Sequence, residues 1–162
     1  MAGSSGPAVR VPHRRSIVRT MTAPEASNQP VDHLGGSREI VGVDELLDAA
    51  RQELIRLEPT EALLAAAEGA MLVDIRPLDQ RRRDGTIPGA LVIDRNVLEW
   101  RLDPMSDYRD QSVDRHQRVL IICNEGYSSS LAAATLRLLG RDATDVIGGF
   151  KKWRQSGLPV VH

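Results

Sequence analysis

From Glu39 onward the apolar residues follow two alternating rhythms. Asp44 is placed to cap a helix whose apolar positions, Leu46, Leu47, Ala50, Leu54 and Leu57, recur at helical spacing. Pro59 breaks that helix, and Thr60 opens a second one through Leu63, Leu64 and Ala67 to a stop at Gly69. Four short runs then read differently: Met71-Leu72-Val73, Leu91-Val92-Ile93, Val119-Leu120-Ile121-Ile122 and Asp145-Val146-Ile147. Each is short, almost wholly apolar and followed by polar residues or glycine, the pattern of parallel strands covered on both faces. Helical stretches separate them. Asn96 can cap a turn through Leu98 and Leu102, and Ser129 to Leu139 sets Leu131, Thr135, Leu138 and Leu139 on one face before Gly140. After Gly148-Gly149, Phe150 and Trp153 share a short helix closed by Gly157 and Pro159. This alternation predicts an α/β domain with a mainly parallel central sheet flanked by helices on both faces. In such a domain the ligand site lies beyond the carboxyl ends of the strands. Residues 1–38, rich in Gly, Ser, Pro and Arg, lack either rhythm and read as a flexible tail ahead of a domain at 39–162.

Composition changes this picture little. The 162 residues suffice for one domain and a tail, since domains commonly run to about 100–150 residues. With aromatics at only 3%, the core must be built from Leu, Val, Ile and Ala. The net charge of −1 hides an asymmetry: Arg10, Arg14, Arg15 and Arg19 stand in residues 1–24 without an acid, leaving a mildly acidic body. An acidic body offers no basic face for nucleic acid. No run approaches the roughly 18 apolar residues of a membrane span, and the N-terminus lacks a secretory apolar core. Its arginines and serines match a transit peptide in composition but carry no clear apolar face; translation starting at Met21 is the plainer alternative. His13, His33, His116 and His162 are scattered without ligand spacing, so neither a metal nor another cofactor is expected. A single cysteine permits no intramolecular disulfide and suits a reducing compartment, which makes the cytoplasm the expected location.

That cysteine, Cys123, directly follows the most apolar strand and opens the segment Cys123-Asn124-Glu125-Gly126-Tyr127-Ser128-Ser129. Ser128 or Ser129 can cap the next helix, and Gly126 gives the short loop the freedom to curl. Such a curl points backbone N–H groups inward at a helix N-terminus, where a thiolate or another anion is stabilised. Placement there lowers a thiol from its reference pKa of about 8.5. The residues alone leave two readings open: a reactive thiolate, or a small buried hydrophobe at a strand end.

Several ordered motifs then favour the first. Asp74-Ile75-Arg76 resembles the Asp-Val-Arg of rhodanese domains, and Gly85-Thr86-Ile87-Pro88-Gly89-Ala90 resembles their Gly-His-Ile-Pro-Gly-Ala, with Thr86 in place of His. Cys123 to Ser128 is similar to their six-residue active-site loop, and Gly148-Gly149, Trp153, Gly157 and Pro159 resemble their ending. The resemblance spans Glu39 to His162 and implies a sulfurtransferase. In it Cys123 would accept a sulfur as a persulfide, with Asn124, Glu125, Gly126, Tyr127, Ser128 and Ser129 forming the anion cradle. It implies a small donor such as thiosulfate, a persulfide or polysulfide, and an acceptor such as cyanide, a thiol or a partner protein. Asp74 and Arg76 are expected to hold loops together, the Gly85–Ala90 element to be a structural turn, and Trp153 to be core.

Ser128 stands where thiosulfate-using members often carry an arginine able to bind the donor bidentately. Glu125 adds a negative charge to the loop, and Arg95 or Arg76 is the candidate to compensate. The short loop without that arginine also argues against the related phosphatases. The alternative to an enzyme is a catalytically weak rhodanese-like binding or regulatory module. The run Gln80 to Asp84 reads as a solvated helix face or a docking patch for an acidic partner.

Overall fold

A computed structural model describes residues 40–162, so the tail expected at 1–38 lies outside the described residues. Strands β1 (Met71–Asp74), β2 (Leu91–Val92), β3 (Val119–Ile122) and β4 (Ala143–Asp145) form one sheet in the order β2-β1-β3-β4, every pair parallel. Asp74 stands opposite both Val92 and Ile122, and Ile121 opposite Asp145, so the carboxyl ends of the strands are nearly level. The helices are α1 (Val43–Gln52), α2 (Pro59–Ala67), α3 (Leu78–Asp84), α4 (Leu98–Leu102), α5 (Ser128–Leu138) and α6 (Gly149–Gln155), with a 3-10 turn at Arg95–Val97.

The two faces of the sheet build two cores, because successive strand side chains point in opposite directions. Val73, Val119 and Ile121 face α4 and α5, packing with Leu98, Leu102, Ala132, Ala133 and Leu136. Leu72, Leu120 and Ile122 face α2 and α6, packing with Ala62, Phe150 and Trp153. Trp153 is fully buried, and its indole N–H donates to Pro159 O at 3.0 Å, which satisfies its polar atom within the core. The three-layer α/β arrangement expected from the sequence is therefore present. None of the helices among the described residues is long and apolar enough to cross a membrane.

Several local expectations need correction. Helix α1 starts after Gly42 without a side-chain cap from Asp44, and it ends at Gln52. Leu57 lies beyond it: its N–H donates to Asp145 O and its carbonyl accepts from Ile147 N, so pairing beside β4 overrides helical periodicity. Pro59 opens α2 rather than breaking a helix, and Glu58 and Glu61 form a reciprocal capping box around it. β4 runs two residues earlier than its apolar run suggested, and β2 stops at Val92. Asp94, not Asn96, caps the turn before α4 by accepting from Asn96 N. In α5 the inward face is Ser129, Ala132, Ala133 and Leu136, whereas Leu138 is 88% exposed. The Gln80–Asp84 run is only partly solvated, because Arg81 turns back to donate to Arg76 O and Gln80 Oε1 is buried without a partner.

Candidate active site

β3 ends at Ile122, and the chain reaches α5 after only Cys123, Asn124, Glu125, Gly126 and Tyr127. What curls this loop is the grip on its carbonyl groups from behind. Phe150 N donates to Cys123 O at 2.8 Å and Lys151 N to Asn124 O at 3.0 Å, so the first turn of α6 holds both. Gly126 O accepts from Arg51 Nη2 at 2.9 Å, from Arg56 Nη2 at 3.4 Å and from Ser130 Oγ at 3.0 Å. With its carbonyls held outward, the loop turns its N–H groups to the other side, and Gly126 N–H donates to Cys123 Sγ at 3.1 Å. Gly126 has φ +78°, and a Cβ there would stand 2.9 Å from Gly148 N, so this position requires glycine on two counts.

Cys123 is 7% exposed at the edge of a cavity of about 400 Å3. Ile75, Arg76, Pro77, Gln80, Tyr127 and Ser128 line it together with the loop. Burial pushes the Cys123 thiol up, but the hydroxyls of Ser129 and Ser128 and the backbone N–H groups of Ser129 and Glu125 prevail and hold it below its ordinary value. Since the folded-state value is depressed, the thiolate's contribution to stability is full above the unfolded pKa. It is lost as pH falls through the folded one. Alkylation of Cys123 by iodoacetamide is expected to rise with pH and level off below the roughly 8.5 of a free thiol. A plateau reached only above that value would show that burial dominates.

Beneath the loop lies a group of residues that sequence reasoning did not assemble. Asp145, fully buried at the end of β4, accepts from Arg56 Nε at 2.8 Å and Nη2 at 3.1 Å. It also accepts from Ser129 Oγ at 3.1 Å and Ser130 Oγ at 2.8 Å. Ser129 Oγ in turn lies 3.2 Å from Cys123 Sγ. The one available signal, the triple serine at 128–130, reads as helix capping; in fact the N-cap is Tyr127, and no serine side chain caps α5.

The remaining expected residues separate into four groups. Asn124, Glu125, Gly126, Tyr127, Ser128 and Ser129 all surround Cys123. Glu125 is paired with Lys151, which offsets the negative charge it brings to the loop. Tyr127 is 55% exposed, with the Arg51 guanidinium 5.6 Å from its ring centroid. Asp74 and Arg76 act on the frame: Arg76 Nη2 donates to Asp74 Oδ2 at 2.7 Å and to Gly85 O at 2.9 Å, and its guanidinium lies over the Phe150 ring. Arg76 borders the cavity, but its side chain has no exposed surface. Arg95 is held by Glu99 at 2.8 Å and does not border the cavity, so it does not supply the cation missing at Ser128. The Gly85–Ala90 element is a turn fastened by Thr86, whose backbone pairs with Val161 in both directions.

A parallel sheet that brings a lone thiol to a tight loop at a helix N-terminus, with the Gly126 N–H turned onto its sulfur, defines an α/β domain with its candidate site at the carboxyl edge of the sheet. The chain belongs to the rhodanese-like domain family, whose model matches residues 58–156. It is 35% identical over 107 residues to the thiosulfate sulfurtransferase GlpE of Pseudomonas entomophila, covering 64% of this chain and 88% of that protein. A Rhodopseudomonas palustris structure, described as a protein of unknown function and possible tyrosine phosphatase, superposes with a TM-score of 0.69 at 30% identity. That match covers 78% of this chain and all of the other. The polysulfide-sulfur transferase homodimer of Wolinella succinogenes matches with a TM-score of 0.57 at 27% identity, over 71% of this chain and 83% of that one.

Proposed function

We propose that this protein is a sulfurtransferase in which Cys123 carries a sulfane sulfur from a small donor to a nucleophilic acceptor. The observation that carries this reading is the placement of the Cys123 thiol in a loop whose Cys123, Asn124 and Gly126 carbonyls are held outward while the Gly126 N–H turns onto Sγ. The thiolate attacks the outer sulfur of a donor such as thiosulfate, forming a Cys–S–S bond while sulfite leaves with the electron pair of the broken S–S bond. The inward N–H groups stabilise the negative charge before and after this step. An acceptor then attacks the outer sulfur: cyanide leaves as thiocyanate, a thiol leaves as a persulfide, and the Cys123 thiolate is restored. With no second cysteine in the chain, discharge must be intermolecular, to a small thiol, cyanide or a partner's cysteine. A lone thiol of this kind suits a reducing compartment, and we place the activity in the cytoplasm.

Phosphoester hydrolysis has less support, because the one arginine that borders the cavity among the described residues, Arg76, is tied to Asp74 and Gly85. The same lack of an available guanidinium bears on the donor. Ser128→Arg is expected to raise kcat/KM for thiosulfate about tenfold by adding charge-assisted hydrogen bonds to the anion. Steady-state assays with thiosulfate and with a polysulfide, run side by side, check this; an equal change for both donors would mean that anion recognition is not what limits thiosulfate use.

Intact-mass measurement after exposure to thiosulfate, and separately to polysulfide, tests the function itself. A gain of one sulfur that cyanide removes is expected, and the single cysteine leaves no ambiguity about where it sits. No gain from either donor on a protein whose thiol is free and reduced would overturn the reading in favour of a binding module.

A further inference from the structure

Ser129 has one hydroxyl proton and two neighbours that can use it. Asp145 Oδ2 lies 3.1 Å from its oxygen and Cys123 Sγ 3.2 Å away. While Cys123 is a thiol there is no conflict: the S–H donates to Ser129 Oγ, and the Ser129 O–H donates to the carboxylate. Once Cys123 loses its proton the arrangement fails, because Sγ then faces an oxygen lone pair. Asp145 can release Ser129 without being stranded, since Ser130 at 2.8 Å and the two Arg56 contacts at 2.8 and 3.1 Å remain. A buried carboxylate left with three donors, two of them from one guanidinium, still has its charge compensated.

We propose that Ser129 is a hydroxyl switch set by Asp145: its proton points to the carboxylate when Cys123 is a thiol and turns onto Sγ when Cys123 is a thiolate. Asp145 is thereby a positioning residue for the nucleophile, acting through Ser129 and never touching sulfur. The proton lost from Sγ goes to solvent through the cavity. The switch has a direction. A carboxylate strong enough to hold the Ser129 proton works against the thiolate, so Asp145 restrains the acidity that the loop N–H groups confer. The other charged groups around Cys123 each have a partner elsewhere, although Arg76 Nη1 is buried without one. Arg51 of α1 is on Gly126 O, Lys151 of α6 on Glu125 of the loop, and Arg76 beyond β1 on Asp74. Arg56, between α1 and α2, reaches both Asp145 and Gly126 O. Among the described residues none of these charged groups donates a hydrogen bond to Sγ.

The inference rests on Cys123 as the nucleophile, but its test reads the thiol and not sulfur transfer, so the two can fail separately. The midpoint of the pH profile for iodoacetamide alkylation is measured on the full chain for the wild type, Ser129→Ala, Asp145→Asn and the double variant, with a thermal melt confirming that each is folded. Ser129→Ala is expected to move the midpoint up by about one pH unit, a tenfold loss of thiolate below it. It removes a donor that only the thiolate uses. If the Ser129 proton stayed on Asp145 in both states, the same variant would lower the midpoint or leave it in place, and the switch would be wrong. Asp145→Asn is expected to lower the midpoint, because an amide oxygen competes less for the hydroxyl proton. That shift should shrink in the Ser129→Ala background. An undiminished shift there would show that Asp145 acts by charge alone and overturn its role through Ser129. Should Asp145→Asn not fold, the sign of the Ser129→Ala shift still decides. If the midpoints move as expected while no donor loads sulfur, the switch stands and the proposed function does not.

Discussion

Cys123→Ser is expected to lower sulfur-transfer turnover by at least about a thousandfold while leaving the fold intact. Replacing sulfur by oxygen keeps the shape of a buried group and the hydrogen bond from Gly126 N–H. What would disappear is the proposed nucleophile: a serine hydroxyl has no usable anionic fraction near neutral pH, and among the described residues no imidazole borders the cavity to take its proton. Loss of a nucleophile in covalent catalysis commonly costs factors on the order of a thousand to a million. Thiocyanate formation from thiosulfate and cyanide gives the rate, and a thermal melt checks the fold. Turnover within tenfold of the wild type would mean that sulfur passes directly from donor to acceptor, with the protein serving only to bind them.

Gly149→Ala is expected to be the most damaging change that leaves every polar group of the site in place. A Cβ at this position would stand 2.5 Å from Cys123 O, 2.7 Å from Glu125 N and 2.8 Å from Asn124 C. All three are backbone atoms of the loop, so no side chain can rotate away. Gly149 also has φ +59°, where an L-residue costs roughly 1–2 kcal/mol before any clash is counted. Overpacking typically adds about 1–3 kcal/mol, and a total near 3 kcal/mol or more is expected in urea unfolding. The loop must move off α6 to make room, breaking the bonds from Phe150 N and Lys151 N that hold its carbonyls outward. Alkylation of Cys123 should therefore shift toward the behaviour of an ordinary thiol in whatever fraction remains folded. A variant with wild-type stability and thiol reactivity would show that loop and helix are not as closely packed as described.

The architecture was largely legible in the sequence, because the features that announce it are local. Four short apolar runs separated by helical stretches admit few arrangements, and a cysteine at the end of the most apolar run lands at the carboxyl edge of a parallel sheet. Element boundaries were less legible, and for an identifiable cause. Leu57 belongs to a helical pattern read along the chain, yet its backbone pairs beside β4 with residues far along the sequence. Face assignment in α5 failed because the buried positions, Ser129, Ala132, Ala133 and Leu136, are mostly small and carry less apolar signal than Leu138 and Leu139. Small side chains there let α5 sit close to β3 and β4, a packing need that hydrophobicity does not register. The support beneath the loop was not legible at all. Arg51 and Arg56 look like ordinary polar positions of a surface helix, and only the end of α1 at Gln52 brings both to Gly126 O. Asp145 reads as the polar start of a strand, although it is the strand's last residue and wholly buried.

The grip on the loop from behind has a consequence for how the reaction is balanced. Three of its carbonyls are anchored to α6, Arg51, Arg56 and Ser130, and none of these contacts involves the sulfur atom. If Cys123 carries sulfur as proposed, the loop would then keep its shape before a sulfur arrives, while it is held and after it leaves. Little reorganisation would accompany loading or unloading, and both proposed half-reactions would run on a preorganised surface. Such a surface gives neither form of the protein a large conformational advantage. The loaded fraction would then follow the ratio of donor to acceptor in its surroundings, and the protein would act as a reversible one-sulfur buffer, filling and emptying as that ratio moves.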